Sequence, residues 1–467
     1  TLDGNAKNLG LEPLILQGAG VGGRGALVNG TTDQNDTSRN VTLAGDTVIR
    51  TEATLGIRTS QDSDPGLRGN GYKLTKLGAG AVNLNGGSNV SGITNYWDPD
   101  LGDIEIIEGQ LSFQRRINLG RPANTVTVHT NGVLHFYSLT TETPPVKNVQ
   151  LNSGMIACGG GATGDINAFG GPIYIASGSN VLRAVAGTIL KLSGSITGPG
   201  NLHCVSAAGS IVALGASSTH SGITEVASGT LMLDPGGALT ATPEIRVRSG
   251  ATFDVTAVAP WVLGASQTLT GSGAVNGSVV ANGTVSPGTS IGTLTFNNDL
   301  TLGGVTVMEV TKDTGLASDG VVVNGSLTYG GKLEVVLAGT VPLAVNDTFQ
   351  LFNAPAGLSG SFSQIVLPPA YTWDTSQLGV DGRIRVTGVA APPQITTVTV
   401  AGGTVTLSGS GGTPGGTYYV LSSTNVGLPL ASWTALITNL FDGTGKFTYS
   451  MPVNPGEPQR FFRLQMP

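Results

Sequence analysis

The chain has 467 residues, of which 72 are glycine, 39% are hydrophobic and only 11% are charged, with a formal net charge of −6. That apolar content supports a packed core and argues against disorder, while the acidic balance excludes the basic footprint of a nucleic-acid binder. No apolar run reaches the ~18 residues of a membrane-spanning helix.

Residues 1–10 are short and polar, and the first apolar run, Leu14, Ile15 and Leu16, reads as a strand. No capping helix precedes it, so it presents an unpaired edge open to strand addition. The chain begins at Thr1, which fits a precursor whose export signal has been removed. Behind this strand, Gly18, Gly20 and Gly23 satisfy G-x-G-x-x-G, but no helical pattern follows, so the dinucleotide fingerprint lacks its context.

Residues 74–94 read LTKLGAGAVNLNGGSNVSGIT, and residues 202–224 repeat them in altered form as LHCVSAAGSIVALGASSTHSGIT. Each leads into a shared second piece, EIIEGQLSF at 105–113 and EVASGTLML at 225–233. Units this small cannot bury their own apolar faces and must stack, which predicts a solenoid. Apolar residues alternate along Val126 and Val128, Val149 and Leu151, and Ile245 and Val247, so the units are built of strands. Gly109, Gly132, Gly154 and Gly178 lie 23, 22 and 24 residues apart, a spacing that suits one turn of a β-helix. The expected fold is an all-β, right-handed parallel β-helix followed by a β-sheet region and a small C-terminal β-sandwich.

The pattern L-T-K-x-G-x-G-x-x-x-L-x-G, then S-G-x-T, then E-G-x-L resembles the autotransporter-associated β-strand repeat of large secreted bacterial passenger proteins. Residues 74–113 match best apart from an insertion at 95–103, and residues 285–302 resemble the segment that closes the repeats. The resemblance implies a secreted or cell-surface location and a β-helix, and it names no activity. No membrane barrel of alternating lipid-facing residues is visible after residue 387.

The 95–103 insertion, NYWDPDLGD, carries Asp98, Asp100 and Asp103, whose carboxylates at short spacing are the candidate calcium ligands; a solvated acidic loop is the competing reading. Tyr96 and Trp97 beside them are candidate contacts to a glycan or another surface. His129, His135, His203 and His220 show no metal-ligand spacing. Cys158 and Cys204 lie about two turns apart, too far for a disulfide on one face, and read as buried free thiols. Gly288, Ser290 and Gly292 form G-x-S-x-G without the strand-to-helix turn of a nucleophile elbow. No paired-carboxylate constellation emerges by spacing, so no enzymatic activity is expected.

Domain boundaries follow from composition: a solenoid over 1–302, a β-rich closing region over 303–389, and a C-terminal module over 390–467 that begins at a Pro-rich linker. The module concentrates aromatics, Tyr418, Tyr419, Trp433, Phe441, Phe447, Tyr449, Phe461 and Phe462 among them. Phe461 and Phe462 are candidate assembly residues, opposite Leu14–Leu16. The expected function is a secreted structural subunit that polymerises with itself head to tail; the alternative is a monomeric surface adhesin or stalk binding glycans or surfaces.

Overall fold

The computed structural model describes residues 1–5, 7–59, 66–87, 97–139, 143–389, 393–412 and 415–466. Among them the chain is built from β-strands, with three short 3-10 turns and no α-helix. Parallel pairing links each turn to the next from Leu2 onward, giving a β-solenoid of about 14 turns. At about 4.8 Å between paired strands, that stack is roughly 65 Å long.

Alternation decides which side chains go inside. Ile104, Val126, Val149, Ile173 and Ile196 pair in succession and form one buried column, and Ile106, Val128, Leu151 and Ile175 form a second, two residues along. The residues between them face outward because successive side chains in a strand point to opposite faces. Each fully buried aliphatic contributes about 1.5–3 kcal/mol of transfer free energy. Repeated turn after turn, these columns form one continuous core.

Both copies of the sequence repeat occupy equivalent places in their turns. Leu74, Thr75 and Lys76 pair with Ile104, Glu105 and Ile106, while Leu202, His203 and Cys204 pair with Thr224, Glu225 and Val226. Val82 then pairs with Leu111, as Val212 pairs with Leu231. Gly109 and Gly132 sit side by side in the register. Gly109 has φ +69°, and a Cβ there would lie 2.3 Å from the Gly78 carbonyl oxygen, so the bend requires glycine.

Turn length varies more than the glycine spacing predicts. Thr268 pairs with Thr284, a step of 16 residues, whereas Lys332 pairs with Gln364, a step of 32. Strand register is fixed by the inward columns, and the corners between strands absorb the difference.

Parallel pairing continues past Leu302 as far as Gln364–Val366. The chain then forms a three-stranded antiparallel sheet from Thr348–Gln350, Arg383–Val389 and Tyr371–Asp374. Its Phe349, Leu378, Ile384 and Val386 belong to the same buried cluster as the solenoid core, with Tyr371 and Trp373 packed against it. Tyr329 donates to the Leu378 carbonyl at 3.1 Å, and its ring stacks 4.7 Å from Phe362. This sheet covers part of the C-terminal end of the solenoid, while the last parallel strand, Gln364–Val366, pairs along one side only among the described residues and is exposed.

Beyond residue 392, two antiparallel three-stranded sheets enclose a separate small core of Leu407, Tyr418, Val420, Phe441 and Phe447. Tyr418 contacts both phenylalanine rings, at 4.7 and 5.1 Å. The aromatic enrichment of this part of the sequence is the core itself.

Candidate functional site

At the N-terminal end, Leu14–Gly18 pairs along one side only, with Val41–Thr51. The edge expected from the sequence is therefore present among the described residues. Only one of the three candidates is presented on it: Ile15 is 74% exposed, Leu16 is buried at 5%, and Leu14 packs against the core. Alternation sends Leu14 and Leu16 inward, which corrects their reading as contact residues. Leu11 and Val21 nearby are also largely exposed.

The described carboxylates of the acidic insertion are not gathered into a group of metal ligands. Asp100 forms a two-point ion pair with Arg121 at 2.8 and 3.2 Å, and this pairing holds its carboxyl below the usual range. Asp103 accepts from the Thr125 amide and the Asn124 side chain, both at 2.9 Å, and Asp98 accepts from the Asp100 amide at 2.8 Å. Each carboxylate thus has its own partner, and no cluster of three or more His, Cys, Asp or Glu among the described residues can hold a metal. The cation here is Lys147: its fully buried ammonium donates to the carbonyls of Leu101, Gly102 and Arg121 at 2.7–3.1 Å. Burial pushes Lys147 down to about 8.

Trp97 is likewise not a surface contact. Its side chain joins the solenoid core at 8% exposure, and its indole N–H donates to the Leu67 carbonyl at 3.3 Å. Tyr96 lies outside the described residues.

The outward face carries charge that sequence spacing did not reveal, because its members come from successive turns. Glu105 receives Lys73 and, at 3.2 Å, His129. Its counterpart Glu225 receives His203 at 2.9 Å and the Arg248 Nε at 2.6 Å. Burial opposes ionisation of Glu225, but these hydrogen bonds overcome it and hold its carboxyl below the usual value. Arg246 on the same strand pairs with Glu244 at 2.8 Å. The signal available in the sequence was the shared Glu of the two repeat copies.

Beside this cluster lies an open cavity of about 300 Å³ lined by Ala227, Arg246, Arg248, Ser249, Gly271, Ser272 and Thr289. Thr289 belongs to the 288–292 loop, and no helix follows that loop, so G-x-S-x-G is a turn here. Likewise the 18–23 glycines form an irregular 3-10 turn at Val21–Gly23 and lead into a strand.

Cys158 and Cys204 are both free and buried. Ile156 pairs with Leu182 and Leu182 with Cys204, so the thiols stand two turns apart and offset along the strand. Burial pushes them up to about 11 and about 12.

In the C-terminal unit, Phe461 and Phe462 are half-buried in the last strand, Phe461–Gln465. Phe462 lines an apolar cavity of about 310 Å³ together with Val398, Val400, Met451 and Val453. Val398 and Val400 are 55% and 67% exposed on the strand Gln394–Ala401, which pairs along one side only.

Fold and surface together define a parallel β-solenoid with an open strand edge at its N-terminal end and an antiparallel sheet packed at its C-terminal end, followed by a separate β-sheet unit. Compared with protein-family models and with curated proteins, the chain matches none.

Proposed function

We propose that the chain is a structural subunit of an extracellular filament or surface layer, joined head to tail through the N-terminal edge of one copy and the C-terminal unit of the next. The observation that carries this reading is the asymmetry of the ends. Leu14–Gly18 offers a strand paired along one side only with Ile15 exposed, while the antiparallel sheet packs against part of the opposite end of the solenoid. With that end partly covered, this reading assigns the head-to-tail contact to the C-terminal unit. There the cavity lined by Val398, Val400 and Phe462 matches the apolar character of Ile15. Contacts between unlike surfaces generate open chains wherever the rotation between copies does not close a ring.

The extracellular setting rests on the resemblance of residues 74–113 and 202–233 to secreted passenger repeats. The thin charge of the chain and the regular core fit a scaffold. A monomeric adhesin or stalk is the second reading, favoured by the polar cavity at Arg248. Sedimentation velocity on the full chain and on Ile15→Lys tests the first reading: concentration-dependent assembly should be lost in the variant. Equal assembly of the two proteins would remove this edge from the contact.

A further inference from the structure

The cavity at Arg248 has a construction that the structural role leaves unused. Glu225 pairs with Arg246 and Val226 with Val247 in the parallel register, which sets Ala227 beside Arg248. Val247 pairs with Gly271, which places Ser272 in the next turn, and Gly271 bridges to Gly288, which places Thr289 in the turn after that. Four successive turns therefore contribute to the walls, over a length of about 14 Å along the solenoid axis. A cleft running along the axis suits an extended chain rather than a compact molecule.

Its two charged wall residues are arginines, each backed by a glutamate, Arg246 by Glu244 and Arg248 by Glu225. Arg246 and Arg248 line it together with Ser249, Ser272 and Thr289, and no carboxylate is among its walls. Glu225 accepts the Arg248 Nε at 2.6 Å, which fixes the guanidinium in orientation. Among the described residues, no hydrogen bond within the chain occupies the two Nη groups of Arg248 or the three wall hydroxyls. A planar guanidinium with a free pair of N–H donors matches a carboxylate in two-point geometry.

We propose that this cleft binds an extended acidic polysaccharide, a carboxylate of one sugar meeting the Nη edge of Arg248 while Ser249, Ser272 and Thr289 hydrogen-bond along the chain. The axial alignment lets consecutive sugars meet consecutive turns. Glu225 acts as a positioning residue, holding Arg248 without touching the ligand.

Isothermal titration of the full chain with an oligogalacturonate tests this, alongside a neutral galactose oligomer of equal length and monomeric galacturonate. The acidic oligomer should bind saturably and more weakly as salt rises, while the neutral oligomer and the monomer bind at least roughly tenfold more weakly, the loss typical of a charge-assisted hydrogen bond. Arg248→Gln and Thr289→Glu alter exposed side chains, and each should weaken binding by a similar factor while leaving the circular dichroism melt unchanged. Absence of saturable binding, unchanged affinity in both variants, or equal binding of the neutral oligomer would overturn the proposal. Equal affinity for the monomer would show a simple anion pocket and overturn the axial cleft. None of these outcomes depends on whether the chain assembles.

Discussion

The Lys76 ammonium donates to the Glu108 carbonyl of the following turn at 3.1 Å. It also donates to the carbonyls of Leu77 and Gly78 at 2.8 and 2.6 Å, all from a side chain that is 1% exposed. The lysine of the L-T-K repeat pattern is thus an internal clamp at a corner, joining two turns where the strand ladder breaks. In the second copy Cys204 stands in its place, and hydroxyls take over the corner: Ser206 Oγ accepts the Ala184 amide and Ser228 Oγ donates to the Ser206 carbonyl. Lys76→Met should leave buried carbonyls unpaired and cost about 1–3 kcal/mol. Urea denaturation of the full chain measures this, and Lys147→Met should behave alike because its ammonium fills the same kind of cage.

Glycines at bends differ in why they are required. Gly109 combines φ +69° with a Cβ position 2.3 Å from the Gly78 oxygen, whereas Gly250 has φ +79° and open space around it. Gly250→Ala should cost only the left-handed backbone penalty, about 1–2 kcal/mol. Gly109→Ala should cost clearly more, because the clash is with backbone that cannot turn aside. Paired thermal melts decide it, and equal shifts would contradict the corner geometry.

Three groups partly or wholly withdrawn from water give acid stability opposing signs. Burial lowers His135 and His220 from 6.5 to about 4. Between those values the unfolded chain binds protons that the folded chain does not, so each histidine removes stability as pH falls from about 6.5 to 4. Burial raises Asp319 from 3.8 to about 7, against the hydrogen bonds it accepts from the Glu309 and Gly292 amides. Here the folded chain keeps a proton that the unfolded chain releases, so stability is gained as pH falls through the same window. His220→Gln should make the loss of stability on acidification shallower and Asp319→Asn should make it steeper. Each change in slope is at most about 1.4 kcal/mol per pH unit. Urea titrations at pH 4.5, 5.5 and 6.5 give the slopes.

The thiols offer a simple check on the core. Cys158 and Cys204 face inward at 0% exposure, and their raised pKa values suppress the reactive thiolate. Native protein should not react with a thiol-labelling disulfide reagent over minutes, and protein in denaturant should release two equivalents. Fast labelling of the native chain would mean that these turns open.

The strand periodicity and the repeat were legible because they are local: alternation at Val126 and Val128 and the shared Glu–Gly spacing of 105–109 and 225–229 survive in a single sequence. Facing was harder to read at the insertion. Trp97 beside three aspartates looks exposed in sequence, yet its indole reaches the Leu67 carbonyl and enters the core. Arg121, distant in sequence from the acids, pairs with Asp100, and Lys147 is caged nearby by backbone carbonyls. The Arg248 cleft was hidden for the same reason, since its walls come from four turns that only the pairing register aligns. The region 303–389 reads in sequence as a β-rich closing region, but its antiparallel sheet was not legible, because which residues meet across it depends on the return of the chain at 371–389.

Electron microscopy of the purified full chain over a range of concentrations tests the assembly most directly. Filaments of end-joined rods, each with a solenoid section of roughly 65 Å, which disappear in Ile15→Lys, are the predicted result. Isolated rods at every concentration, or filaments that persist unchanged in the variant, would contradict a head-to-tail contact through the N-terminal edge.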